Sequence, residues 1–159
     1  MTETFIPRGV IPAVLLPFDS DLNIDESAYR SHLRDIVNTK GVCSITINGH
    51  SSEVHSLDFD EQRKVLDITL DEVGGVVPII CGIYADGSRQ AAVLAKQAED
   101  AGADCLLIFP GAVFSLGMIY RREMVISHYR TIAEATSLPL IAFVYPLAGG
   151  MGYDTEYFR

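Results

Sequence analysis

The feature that most constrains this chain is a recurrence. A short apolar run followed by an amphipathic stretch repeats at intervals of roughly 30 residues, the size of a βαβ unit. The apolar runs are Val10–Phe18, Val42–Ile47, Val76–Tyr84, Asp104–Phe109 and Leu138–Tyr145. They are continuous rather than alternating, which suits strands buried on both faces of a parallel sheet. Helical patterns lie between them. Asn23-Ile24-Asp25-Glu26 has the form of a capping box and opens a helix to about Asn38, with Tyr29, Leu33, Ile36 and Val37 on its apolar stripe. Asp58-Phe59-Asp60-Glu61 repeats the signal, with Val65, Leu66, Ile68 and Thr69 inward and Gly74-Gly75 as the stop. Arg89–Ala101 ends at Gly102, and Arg122–Thr136 forms a fourth helix. Asp154-Thr155-Glu156 begins another. This order predicts a parallel α/β sheet with helices outside. Two closed solutions remain, a doubly wound open sheet and a (β/α)8 barrel. The 159 residues suit the size of the first. They amount to about five-eighths of the ~250 residues of the second.

Composition narrows the partners. A 48% apolar content argues for one domain with a real core rather than disorder. A net charge of −9 disfavours nucleic acid and anionic membrane surfaces. Residues Met1–Arg8 are polar, so no leader is expected. Val73–Ala85 is broken by Gly74, Gly75, Pro78 and Gly82, so no membrane span is expected. Cys43, Cys81 and Cys105 sit in strand-like runs without a CxxC pair. They are expected to be free buried thiols in a reducing cytoplasm. Only His50 and His55 lie near Cys43, so no metal site is expected.

The chemistry-bearing segment is Gly49-His50-Ser51-Ser52-Glu53, where the second strand hands over to a helix. Backbone N–H groups in such a turn can hold a carboxylate or phosphate. Any loop before a helix also favours small polar residues, so the segment alone is ambiguous. Neither GxGxxG nor GxxxxGK[ST] follows the first strand, which ends Pro17-Phe18-Asp19-Ser20. A nucleotide fold is therefore disfavoured.

Several segments in order resemble the dihydrodipicolinate synthase / N-acetylneuraminate lyase family. They are Gly9–Ala13 with Pro17-Phe18, Gly49–Glu53 in place of a Gly-Thr-Thr-Gly-Glu signature, Leu57–Arg63, Val77–Gly82, Ala101–Asp104 and Pro139–Pro146. The resemblance implies a (β/α)8 barrel of which residues 1–159 supply the first five β/α units. It also implies class I aldolase chemistry, in which a lysine forms a Schiff base with pyruvate or a related 2-oxo acid. No cofactor is implied, and a homo-oligomer is. By position Ser51 takes the main carboxylate-binding threonine role, with the Ser52 backbone N–H and Gly49 beside it. His50 stands at the threonine that relays protons in the synthases.

Three departures mark a divergent branch. Phe143 stands where the family has a tyrosine, and Tyr145, two residues on and on the same side of a strand, is the candidate substitute. Pro110-Gly111-Ala112 lacks the tyrosine that synthases send across a dimer interface, and Ser52 replaces the signature glycine. The lysines, Lys40, Lys64 and Lys96, all fall on helices expected to face outward. The resemblance places the Schiff-base lysine beyond Arg159, so this chain by itself is expected to be inactive. The substrate and the reaction (synthase, aldolase or dehydratase) stay open. Two alternatives remain: a non-catalytic 2-oxo-acid-binding or regulatory homologue, and a complete small doubly wound domain. A barrel arc also leaves unpaired edges at its first and fifth strands, which predicts association.

Overall fold

The computed structural model describes residues 5–115, 117 and 120–159. Residues 1–4 of the polar N-terminal stretch, and Leu116 of the 110–117 loop, lie outside them. Four parallel strands form one sheet: β1 (Ile45–Ile47), β2 (Ile79–Ile83), β3 (Cys105–Ile108) and β4 (Leu140–Ala142). Their spatial order is their order in sequence. That order overturns the doubly wound alternative, whose strand sequence must reverse at a switch point. A sheet that adds each new strand on the same side instead curls toward a barrel wall.

The run Val10–Phe18 is corrected. It is not a regular strand but an extended edge segment held at isolated parallel bridges, Val10 to Val42 and Ala13 to Thr46. Val14 N–H donates to Thr46 O (3.0 Å) and Thr46 N–H to Pro12 O (2.9 Å). Pro12 and Pro17 lack the N–H that a continuous ladder needs. The third run is also trimmed, since β2 starts at Ile79, after Pro78.

Four helices cover one side: α1 (Glu26–Val37), α2 (Phe59–Val73), α3 (Ser88–Ala101) and α4 (Arg122–Ala133). The cap of α1 is Asp25, whose carboxylate accepts from Ala28 N–H at 3.0 Å. Asn23 is instead engaged with Asp19 in the preceding turn. The capping box of α2 forms as expected between Asp58 and Glu61. Gly102 closes α3 at φ 109°. Asp154 caps only a single 3-10 turn, Thr155–Phe158.

The strands divide their side chains between two layers. Val14, Leu16, Ile45, Ile47, Ile79, Cys81, Ile83, Leu106 and Ile108 join the helices' Leu33, Val65, Ala95 and Ile132 in one core. Ile80, Cys105 and Phe109 are equally buried but lie outside that core, on the opposite face of the sheet. Between α1 and α2, Thr69 Oγ1 donates to Val65 O (2.7 Å), so the buried Tyr29 hydroxyl must donate to Thr69 (2.9 Å). Cys81 and Cys105 are buried free thiols, whereas Cys43 is exposed because its partner segment is a sparse edge. No helix among the described residues is long and apolar enough to cross a membrane.

Candidate active site

The carboxyl ends of the strands carry the functional side chains. Asn48 follows β1 at φ 49°, a left-handed conformation that Asn tolerates better than most residues. Its Nδ2 donates to Gln62 O (2.9 Å), and the buried Gln62 amide reaches Leu57 O (3.2 Å). The turn is thereby tied to the start of α2. Gly82 of β2 passes beneath it, so close that an added Cβ would lie 2.0 Å from Asn48 O.

Two 3-10 turns follow, His50–Ser52 and Val54–Ser56, joined by Glu53 at φ 55°. The left-handed residue is Glu53, not Ser52, so a serine fits where the signature has glycine. Ser52 is engaged within the fold. Its hydroxyl donates to Val14 O (2.9 Å), holding the edge segment, and its N–H is spent on Gly49 O (3.1 Å). Ser51, by contrast, is exposed.

His50 meets Tyr145. Its Nε2 is hydrogen-bonded to the Tyr145 hydroxyl. Its ring packs on Phe109 (4.4 Å between centroids) and against Phe143 (5.4 Å). Residues 95 positions apart in sequence thus touch at the sheet's carboxyl edge. Burial, then the neighbouring His55, lowers the pKa of His50. Burial, then Tyr84, pushes the Tyr145 phenol up to about 12. At neutral pH the pair is a neutral imidazole and a protonated phenol joined by one hydrogen bond.

The surrounding cleft of about 310 Å³ is lined by His50, His55, Tyr84, Ala112, Tyr145 and Met151. Sequence reasoning missed His55, Tyr84 and Met151. Tyr84 ends a strand run and was legible as such; His55 and Met151 carried no local signal. Ser51 does not line this cleft and sits on the turn beside it. Gly111 is needed nearby, since a Cβ there would meet Asp86 Cα at 2.7 Å, and Ala112 N–H donates to Asp86 (2.8 Å).

Lys64 and Lys96 are exposed on α2 and α3, and Lys96 pairs with Glu99 and Asp100. Lys40 is corrected to an exposed turn after α1, not a helix. Among the described residues no group of three or more His, Cys, Asp or Glu is placed to hold a metal ion.

The sequence model of the Dihydrodipicolinate synthetase family matches residues 6–156. The chain belongs to that family. The 4-hydroxy-tetrahydrodipicolinate synthase of Methanopyrus kandleri is 34% identical over 153 residues, covering 94% of this chain and 48% of the relative. The structure of the 4-hydroxy-tetrahydrodipicolinate synthase of Methylacidiphilum fumariolicum superposes with a TM-score of 0.85 at 23% identity, covering 96% of this chain and 49% of that one. N-acetylneuraminate lyase from Fusobacterium nucleatum gives 0.82 at 21% identity, over 94% and 50%. The four parallel strands and their helices match the N-terminal part of this family's (β/α)8 barrel. The chain spans about half the length of the curated relatives it matches. Its family relatives are lyases.

Burial of neutral histidines makes stability depend on pH. His50 and the fully buried His128 both have pKa values lowered, first by desolvation. Unfolding frees them to titrate near ~6.5. The unfolded state then binds more protons, so stability is complete above that value and falls as pH drops through the window below it. The urea midpoint should fall between pH 7 and about pH 5, before most carboxylates titrate. In His128→Asn that slope should flatten. An unchanged or rising midpoint contradicts it.

Proposed function

We propose that residues 1–159 form the first five β/α units of one (β/α)8-barrel domain. In this reading the barrel is a lyase that acts on pyruvate or a related 2-oxo acid through a lysine Schiff base. The observation that supports it best is the His50–Tyr145 contact at the carboxyl ends of β1 and β4, the face where barrel enzymes keep their chemistry. Ser51 and the amides of the Gly49 turn receive the substrate carboxylate. Tyr145 supplies the hydroxyl that Phe143 cannot, and His50 exchanges its proton. The imine-forming lysine comes from outside these residues, because Lys40, Lys64 and Lys96 do not line the cleft and are exposed. No cofactor is required, and the protein works in the cytoplasm. Taken by itself, the 159-residue arc associates with copies of itself through its unpaired edge segments, where Val10 (60% exposed) and Leu15 (58%) are open on one side and Val144 (40%) on the other.

Phe143 favours a second reading, a 2-oxo-acid-binding homologue without catalysis. One experiment addresses both. Pyruvate added to the 159-residue chain should shift the amide resonances of Gly49–Ser51, and borohydride should leave no mass adduct. An adduct on Lys40, Lys64 or Lys96 overturns the inactivity of the chain. A silent turn overturns 2-oxo-acid binding altogether.

A further inference from the structure

We propose that the cleft beside the His50–Tyr145 pair takes an uncharged aromatic group as the distal half of the substrate, in preference to a carboxylated or polyhydroxylated one. This rests on the 2-oxo-acid reading for the proximal half only. Four of the six lining residues are rings: His50, His55, Tyr84 and Tyr145. They stand as a connected set, with His50 to Tyr145 at 5.3 Å, His50 to His55 at 5.8 Å edge-on, and His55 to Tyr84 at 6.4 Å edge-on. Phe109 and Phe143 back the set, 4.8 Å apart. The other two lining residues, Ala112 and Met151, add apolar surface, and a thioether sulfur packs well against a ring.

Charge on this wall disfavours the competing class. Among the described residues no Lys or Arg lines the cleft, so a second carboxylate finds no cation on this side. Asp86 adds negative charge beside Tyr84, whose pKa is raised by burial and then by Asp86. An anionic distal group would therefore lose its hydration without a partner. Polar donors are confined to the phenols and imidazoles, which suffice for one carbonyl or hydroxyl. The cleft of about 310 Å³ leaves room for one ring with its substituent.

The test uses unreactive alcohols that mimic the two aldehyde classes, benzyl alcohol and 4-hydroxybutyrate, titrated into the 159-residue chain and followed by the His and Tyr ring resonances. Benzyl alcohol should shift His55, Tyr84 and Tyr145 and bind at least tenfold more tightly than 4-hydroxybutyrate. Tyr84→Ala should weaken it about tenfold. Ala112→Arg, at an exposed lining position, should reverse the preference by adding the missing cation. Equal or tighter binding of 4-hydroxybutyrate to the unaltered chain overturns the proposal, as does benzyl alcohol shifting resonances elsewhere. Pyruvate is titrated separately. If benzyl alcohol binds the rings while pyruvate leaves Gly49–Ser51 unmoved, the aromatic cleft stands and the 2-oxo-acid reading fails. The reverse pattern sinks the aromatic cleft alone.

Discussion

Gly82→Ala should be among the most damaging single-methyl additions in this protein. The new Cβ would sit 2.0 Å from Asn48 O, 2.7 Å from Asn48 C and 3.0 Å from Ile47 O. All three are backbone atoms, so no side chain can rotate away. Relief requires β1 and β2 to separate, or Asn48 to leave its left-handed conformation. Either costs about 4 kcal/mol or more, the range reserved for overpacking and special backbone positions. For a domain of this size that is a fall of roughly 8–16 °C in Tm. The same movement displaces the Gly49–Ser52 turn and separates His50 from Tyr145, so pyruvate-induced shifts at the turn should vanish as well. Gly149→Ala is the matched control. A Cβ there meets nothing within 4 Å, and its φ is not positive, so its Tm should change little. A Gly82→Ala chain that melts with Gly149→Ala would refute the close crossing of the turn over β2.

The second large effect lies at the α1–α2 contact. Tyr29 is completely buried, and its hydroxyl donates to Thr69. Tyr29→Ala should cost about 3–5 kcal/mol, the range for emptying a buried aromatic site. Tyr29→Phe keeps the ring and removes only the donor, leaving Thr69 still bonded to Val65 O. It should cost about 1 kcal/mol, the net worth of one hydrogen bond. Chemical denaturation of both variants separates packing from hydrogen bonding. Equal losses would mean that the hydroxyl network, not the ring, holds α1 in place. The ion pairs beside it, Arg30 with Glu26, Asp71 and Glu72, lie at the surface with Glu26 and Asp71 open to solvent and Arg30 and Glu72 partly covered, and each contributes less than the buried ring.

Much of the architecture was legible because period and punctuation are local. Continuous apolar runs gave β1 to β4, Asp58 and Glu61 gave the start of α2, and Gly102 gave the end of α3. The errors share one cause. Asn23 and Asp25 offer similar capping chemistry, and only the turn geometry around Asp19 decides that Asn23 is occupied elsewhere. Pro12 and Pro17 were visible, but their effect on the ladder depends on the segment being an edge. Cys43 looked buried because its neighbours are apolar, yet exposure depends on what lies across the strand.

The site divides in the same way. The Gly49–Glu53 segment was readable from residue type as a polar strand-to-helix turn, but not as a binding site, since any loop before a helix favours small polar residues. Which donor of that turn remains free was not readable. Ser52 turns its hydroxyl to Val14, 38 residues earlier, and spends its N–H within the turn. By itself the sequence determined the alternation of elements and the helix boundaries marked by Asp58, Glu61 and Gly102. Tertiary structure alone decided the sequential strand order, the meeting of His50 with Tyr145, and the ring of aromatic side chains around them. The reason is physical: propensity and capping act over a few residues, whereas curvature of a parallel sheet brings strand ends together at distances no local pattern encodes.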